Sequence, residues 1–186
     1  MNDEMRGPVS ARDLAYTDQE TQLTGVLHWT ETGSTAPGIL LIHGGAGLDE
    51  HARGQAQRYA ALGYTVLAGD MLGDGVAGDR ERVIGCLTAM RDDPAFLVRR
   101  AHAGLTALAA CPQSSGRPAA IGFCFGGMAV LALARSGAEL AGAVSIHGSL
   151  ATRSPAAPGS VQARVLVCHG ALDPHVPLAD VTAFAG

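Results

Sequence analysis

The segment GFCFGG, residues 122–127, joins an apolar run to a second apolar stretch with helical character. It matches the nucleophile-elbow pattern G-x-S-x-G, with cysteine in place of serine. The nucleophile of such a turn has a strained backbone, so its neighbours two positions away must be small. The turn also places Cys124 at a helix N-terminus, where free N–H groups stabilise negative charge on sulfur. The pattern predicts a nucleophile, and the alternative is a small buried hydrophobic residue, the usual role of a free cysteine.

Two backbone N–H groups are candidates for holding the oxyanion that forms when Cys124 attacks a carbonyl. The first belongs to Phe125, directly after the nucleophile. The second belongs to Gly45, in the turn HGGAG at residues 43–47. This turn resembles the HGGG-type loop that completes the oxyanion hole of esterases. The motif alone is weak, because an ordinary flexible turn after a strand has the same composition.

Asp173 follows the last apolar strand and comes after Cys124 in the chain. Hydrolases built on an α/β sheet use the chain order nucleophile, acid, histidine, and the acid orients the histidine. We therefore expect Asp173 to be the catalytic acid. A turn-forming Asp before a proline is the competing interpretation.

The elements that would position these residues alternate between strand and helix along the chain. Apolar strands that alternate with helices predict an α/β domain with a mainly parallel sheet, and working residues then lie at the carboxyl ends of the strands. The lead-in before residue 21 is polar, and no linker divides the chain, so residues 1–186 are expected to form one domain. The predicted strands are 21–30, 38–43, 64–68, 119–123, 140–146 and 164–168, and the predicted helices are 49–63, 81–90, 94–110 and 125–135, with a further helix starting at 177.

Composition excludes several functions. The 186 residues are 47% hydrophobic, and all 13 basic residues are arginine, which excludes chemistry that needs a lysine amine. The arginines form no basic face, so we expect no nucleic-acid partner. The four cysteines are far apart, so we expect neither a metal site nor a disulfide framework, and no other cofactor. The N-terminus is polar and does not resemble a signal peptide. We therefore expect a cytoplasmic location and no membrane association.

Three segments together resemble the dienelactone hydrolase family: GFCFGG, GYTVLAGDMLGDG at residues 63–75, and HGALDPHVP at residues 169–177. The resemblance covers the chain from about residue 21. It implies an α/β-hydrolase fold, a Cys-His-Asp triad that includes Cys124 and Asp173, and a small-molecule ester or lactone substrate. Glu follows the position matching His43 in well-characterised members, whereas this chain has Gly44.

The resemblance also places the catalytic histidine after the acid, beyond one more helix and strand. Too few residues follow Asp173 for that, so we expect the histidine beyond residue 186 and the last strand and helix to be missing from this chain. His147, His169 and His175 are candidate substitutes. An impaired, hydrolase-like binding protein is the alternative function.

A second motif, GDGVAG at residues 73–78, matches the dinucleotide pattern G-x-G-x-x-G. That site needs a following helix and strand with an acidic residue at the strand end, and this chain predicts two consecutive helices instead. We interpret the segment as a mobile loop over the active site. Arg80, Arg82 and Arg91 are candidates to face a substrate carboxylate.

Overall fold

The computed structural model describes residues 7–185, which form a sheet with helices on both faces. The strands are β1 Val9–Asp18, β2 Thr21–Thr30, β3 Ala36–Ile42, β4 Thr65–Gly69, β5 Ser114–Phe123, β6 Gly142–Ile146 and β7 Arg164–Cys168. The helices are α1 Glu50–Ala61, α2 Arg80–Asp92, α3 Pro94–Ala109, α4 Phe125–Arg135 and α5 Leu178–Ala185. None of these helices is long and apolar enough to cross a membrane.

The sheet has the strand order β1-β2-β4-β3-β5-β6-β7, and the strands from β4 to β7 are parallel. Strands β1 and β2 run antiparallel to their neighbours. The interior strand β4 is buried along its whole length, as expected for a strand covered on both faces. This is the predicted mainly parallel α/β architecture.

Parallel pairing brings the carboxyl ends of four strands to one edge of the sheet. Ile42 pairs with Gly122, Phe123 with Ile146, and Ile146 with Cys168. The residues that follow these strand ends therefore lie side by side at one edge, although they are distant in sequence. The predicted nucleophile and the loops that could serve it meet there.

Local capping explains where the helices begin. The side chain of Asp49 accepts a hydrogen bond from the N–H of Ala52 at 2.9 Å and starts α1 as predicted. Asp93 caps α3 in the same way, and Pro94 occupies the first turn of that helix. Helix α4 has the predicted bounds, residues 125–135.

The polar lead-in was wrongly interpreted, because residues Val9–Asp18 form β1 in full antiparallel register with β2. Most of the β1 side chains are exposed or only half-buried. An edge strand of this kind has no continuous apolar run, which is the signal by which buried strands are detected. Backbone pairing with β2 therefore produces a strand that the pattern of side chains does not predict.

Strand β7 is exposed in this chain, although its apolar sequence is typical of a strand covered on both faces. It is one of the two edge strands within residues 7–185, and the side chains of Val165 and Leu166 are 41% and 55% exposed. An apolar edge with unpaired backbone groups is a template for pairing with another strand. This edge is the most exposed apolar part of the described sheet.

We predict that the 186-residue chain self-associates through β7. Replacing Leu166 by Lys places a charge on the edge and is expected to shift the population toward monomer, because a charged side chain opposes edge-to-edge pairing. Multi-angle light scattering measures the change. Leu62→Lys is the matched control, because Leu62 is 58% exposed but caps the end of α1 and is not part of the sheet. Equal association of both variants would contradict the prediction.

Candidate active site

Cys124 occupies a tight turn between β5 and α4. Its φ of +55° and ψ of −113° are unusual for a residue with a side chain, and it is the N-cap of α4. The N–H of Cys124 donates to the carbonyl of Ile146 at 3.0 Å, and its carbonyl accepts from the N–H of Met128 at 3.2 Å. The backbone is therefore held at both ends, while the side chain is exposed to solvent.

The glycines around Cys124 are required by close backbone contacts. A Cβ at Gly122 would collide with the carbonyl of Gly126, and a Cβ at Gly126 would collide with the carbonyl of Ile42. A Cβ at Gly127 would lie 2.7 Å from the hydroxyl of Ser145. The small residues of the elbow pattern thus let strand, turn and helix approach closely enough to expose the sulfur.

The turn after β3 lies next to Cys124. A Cβ at Gly44 would be 3.8 Å from the Cβ of Cys124, so the two loops are in contact range. The N–H of Gly47 donates to the carbonyl of Gly44 at 3.2 Å, which makes Gly45 the second residue of a β-turn. Within the described chain, the N–H groups of Gly45 and Phe125 donate to no protein group. Both remain available to bind an oxyanion.

His43 is fully buried and is held by hydrogen bonds on both ring nitrogens. Its Nε2 accepts from the N–H of Met71 at 3.2 Å, so its Nδ1 carries the proton and donates to the carbonyl of Gly44 at 2.8 Å. Burial lowers the pKa of His43, and the bond to Gly44 opposes this only in part. His43 is therefore neutral at physiological pH and has no free nitrogen to act as a base.

Asp173 lies in the loop between β7 and α5. The N–H of His175 donates to Oδ1 of Asp173 at 2.8 Å, and this bond is the main cause of a pKa lowered below its usual value. The charges of His169 and His175 act in the same direction. The carboxylate is therefore ionised throughout the range in which a histidine titrates.

His169 and His175 belong to this loop, and His147 lines the same cavity as Asp173. Within residues 7–185, none of these three rings hydrogen-bonds to Cys124 or Asp173. His147 follows β6 with a φ of +44°, and His147 and His175 are both exposed. Both ring nitrogens of His169 are buried, with no hydrogen-bond partner in the described structure. The structure therefore brings the candidate substitutes for the catalytic histidine near Asp173, but no Cys-His-Asp triad is assembled in the described residues.

A cavity of about 380 Å³ joins the predicted site residues. Larger surface cavities of about 690 and 550 Å³ contain none of them. One wall of the site cavity comes from α2, whose residues 84, 87, 88 and 91 follow the spacing of one helix face. The residues that line the cavity are Gly45, Ile84, Leu87, Thr88, Arg91, Cys124, Phe125, Met128, His147, Ser149, Asp173, His175 and Val176.

Of the three arginines that are candidates to face a substrate carboxylate, only Arg91 lines this cavity, and the sequence identifies no other substrate-binding residue. Arg82 donates instead to the carbonyl of Gly75 at 2.6 Å. The i, i+3, i+4, i+7 spacing on α2 was present in the sequence, but nothing there showed which face of the helix meets the nucleophile.

The segment 73–78 was wrongly interpreted as a mobile loop over the site. The N–H of Asp74 donates to the carbonyl of Gln22 at 3.1 Å, and the Asp74 side chain accepts from the hydroxyl of Thr24 at 3.0 Å. These bonds tie the segment to β2, and none of its residues lines the cavity. Across residues 7–185 no group of three or more His, Cys, Asp or Glu is arranged to hold a metal ion.

Comparison with known proteins adds sequence and fold relatives. The profile of the dienelactone hydrolase family matches residues 24–185. The solved structure of a protein named m3DLH is 42% identical, with a TM-score of 0.87, and the match covers 97% of this chain and 76% of that one. A dienelactone hydrolase-like promiscuous phosphotriesterase from metagenomic libraries is 40% identical, with a TM-score of 0.87 and coverage of 96% and 76%.

More distant structures share the fold alone. The acylaminoacyl peptidase of Pyrococcus horikoshii is 17% identical, with a TM-score of 0.72, and the match covers 96% of this chain and 34% of that one. A search of curated proteins found no match.

The elbow packing predicts a strong penalty for a methyl group at Gly126. Gly126→Ala should destabilise the fold by about 1–3 kcal/mol or more, because the new Cβ meets a backbone carbonyl that cannot turn away. Gly54→Ala is the matched control. Its Cβ meets open space within α1, so it should stabilise by roughly 0.5–1 kcal/mol. Urea unfolding measures both, and similar effects for the two variants would contradict the packing argument.

We also predict that Cys124 is the first thiol to react with a limiting amount of iodoacetamide. It is exposed at a helix N-terminus, whereas Cys111 is buried and burial raises its pKa. Cys168 is a demanding comparison because it is also exposed but lies at the end of a strand. Peptide mass mapping gives the order of reaction. Modification of Cys168 before Cys124 would show that exposure alone controls reactivity.

Proposed function

The chain belongs to the dienelactone hydrolase family, and from this premise we propose that it cleaves ester or lactone bonds with Cys124 as the nucleophile. The observation that carries the proposal is the position of Cys124. The residue is strained at φ +55°, starts α4, and lines one cavity with Gly45, Phe125 and Asp173. Nucleophile, oxyanion donors and acid are three of the parts that acyl transfer requires, and a histidine base is the fourth.

In the first half-reaction, the thiolate of Cys124 attacks the carbonyl carbon of the substrate and a C–S bond forms. The carbonyl oxygen becomes an oxyanion, which the N–H groups of Phe125 and Gly45 hold by hydrogen bonds. Collapse of this intermediate re-forms the carbonyl and breaks the C–O bond to the leaving group. The departing alkoxide takes a proton from the catalytic histidine, which leaves an acyl group on Cys124.

In the second half-reaction, the neutral histidine removes a proton from water as the water attacks the acyl carbon. The C–S bond then breaks, so the carboxylic acid is released and Cys124 returns to the thiolate. Asp173 is proposed to orient the histidine and to stabilise its protonated form. Its lowered pKa supports this role, because the acid must stay ionised while the histidine changes charge.

We propose that this histidine lies beyond residue 186, as the family resemblance implies. In residues 7–185, no histidine ring is hydrogen-bonded to Cys124 or to Asp173. Loss of the base from such a site costs on the order of 10⁴-fold in rate. The 186-residue chain should therefore form the acyl-enzyme from an activated ester but hydrolyse it slowly.

The shape of the cavity favours small acyl groups with apolar character. Its volume is about 380 Å³, and Ile84, Leu87, Met128 and Val176 supply apolar surface. A substrate of this kind would bury its carbon chain against α2 while its carbonyl faces the two N–H groups.

The state of the cysteines supports a proposed cytoplasmic location. A nucleophilic thiol works only when it is reduced, and all four cysteines are free.

We predict a burst of nitrophenolate when the chain is mixed with excess p-nitrophenyl acetate. Cys124→Ala should abolish the burst, because no thiolate remains at the elbow to accept the acetyl group. Cys168→Ala is the matched control and should retain a full burst, since it removes the other exposed thiol. Stopped-flow absorbance measures the burst amplitude in each variant.

Two results would count against the mechanism. An undiminished burst from Cys124→Ala would place the nucleophile elsewhere. A wild-type chain that binds the ester without any burst would favour the hydrolase-like binding protein.

A further inference from the structure

A buried ion pair connects the end of β1 to helix α3. Asp18, at the end of β1, and Arg100, on α3, are each only 4% exposed. The Nε of Arg100 donates to Oδ2 of Asp18 at 2.8 Å, and Arg99 donates to Oδ1 at 2.9 Å. Two charges hidden from water in this way are costly unless they are paired, so this pair has a fixed geometry.

Arg100 uses a second nitrogen to fix the loop that follows β4. Its Nη1 donates to the carbonyl of Met71 at 3.0 Å. The preceding residue, Asp70, also holds this loop, because its side chain accepts from the N–H groups of Leu72 and Gly73. The peptide group of Met71 is therefore fixed from both sides.

The fixed loop at Met71 is hydrogen-bonded to His43. The N–H of Met71 donates to Nε2 of His43 at 3.2 Å, which requires the proton of the neutral ring to be on Nδ1. That proton is donated to the carbonyl of Gly44 at 2.8 Å. The same carbonyl accepts from Gly47 and closes the turn that contains Gly45. An unbroken chain of hydrogen bonds thus connects the buried ion pair to the candidate oxyanion turn.

We propose that His43 and the Asp18–Arg100 pair are positioning residues that hold the Gly45 N–H toward the oxyanion. This inference rests on the proposed function, because it needs an oxyanion at Cys124. The turn it stabilises contains Gly44, Gly45 and Gly47, and glycine-rich backbone has many accessible conformations. A donor must be held in place before the reaction to lower the barrier, since reorganising it during the reaction forfeits part of the gain.

His43 is proposed to act on the turn that contains Gly45 and not on the thiolate of Cys124. His43 has both nitrogens occupied and is completely buried, so it cannot take a proton from Cys124. Its loss should slow reactions that develop an oxyanion and spare reactions of the same sulfur that do not. Displacement of iodide from iodoacetamide is such a reaction, because the attacked carbon is saturated and no oxyanion forms.

The test compares two rates at Cys124 in the 186-residue chain: acylation by p-nitrophenyl acetate and alkylation by iodoacetamide. His43→Ala should lower the acylation rate about tenfold or more and leave the alkylation rate unchanged, because loss of a whole oxyanion donor costs roughly 10²–10³-fold. His43→Asn should recover only part of the loss, since its amide nitrogen can replace Nδ1 as a donor to Gly44 but the acceptor for the N–H of Met71 is lost. His102→Asn is the matched control on the exposed face of α3.

A second variant keeps the test valid if His43→Ala fails to fold. Asp18→Asn retains the shape of the side chain and weakens the anchor, so acylation should fall several-fold with alkylation unchanged. Asp13→Asn on the exposed face of β1 is its control. Thermal unfolding confirms which variants are folded.

Equal changes in both rates, or no change in either rate for a folded variant, would overturn the positioning role. A wild-type chain that is alkylated at Cys124 but never acylated there would overturn the proposed function, and this inference with it. The two failures are distinguishable because the first is a difference among variants and the second is a property of the unmodified chain.

Discussion

The close approach of three backbone segments at the elbow is the constraint on which the site depends. Gly126 lies against the carbonyl of Ile42, so α4 begins in contact with the end of β3. This contact brings Phe125 beside the turn that carries Gly45, and it lifts Cys124 above the sheet edge at φ +55°. A single side chain at Gly126 would separate β3 from α4 and would move the two candidate oxyanion donors apart.

The parallel sheet extends this local constraint to the whole site. Register between β3, β5, β6 and β7 places Cys124, His147 and the loop of Asp173 at one edge. Polar contacts then fix the loops that the register leaves free. Asp18 and Arg100 hold Met71, while the backbone of His175 holds the carboxylate of Asp173. Strand register thus sets which residues meet, and hydrogen bonds set their orientation.

The sequence predicted most of the buried elements and less of the cavity. The elbow and α4 were predictable because a glycine pattern and an apolar helix have strong local causes, and the bounds 125–135 were predicted correctly. Strand β1 was missed because its stability comes from pairing with β2. The wall that α2 contributes was missed because helix placement depends on tertiary packing. The catalytic roles of Cys124 and Asp173 remain predictions that the geometry supports.

The measurement that tests the account most directly is mass mapping of the chain quenched shortly after mixing with an activated ester. The account predicts one acyl group per chain, carried by the peptide that contains Cys124, at a time when little product has been released by deacylation. An acyl group found mainly on Cys168 or on a histidine, or no covalent adduct at all while ester is consumed, would contradict the assignment of Cys124 as the nucleophile.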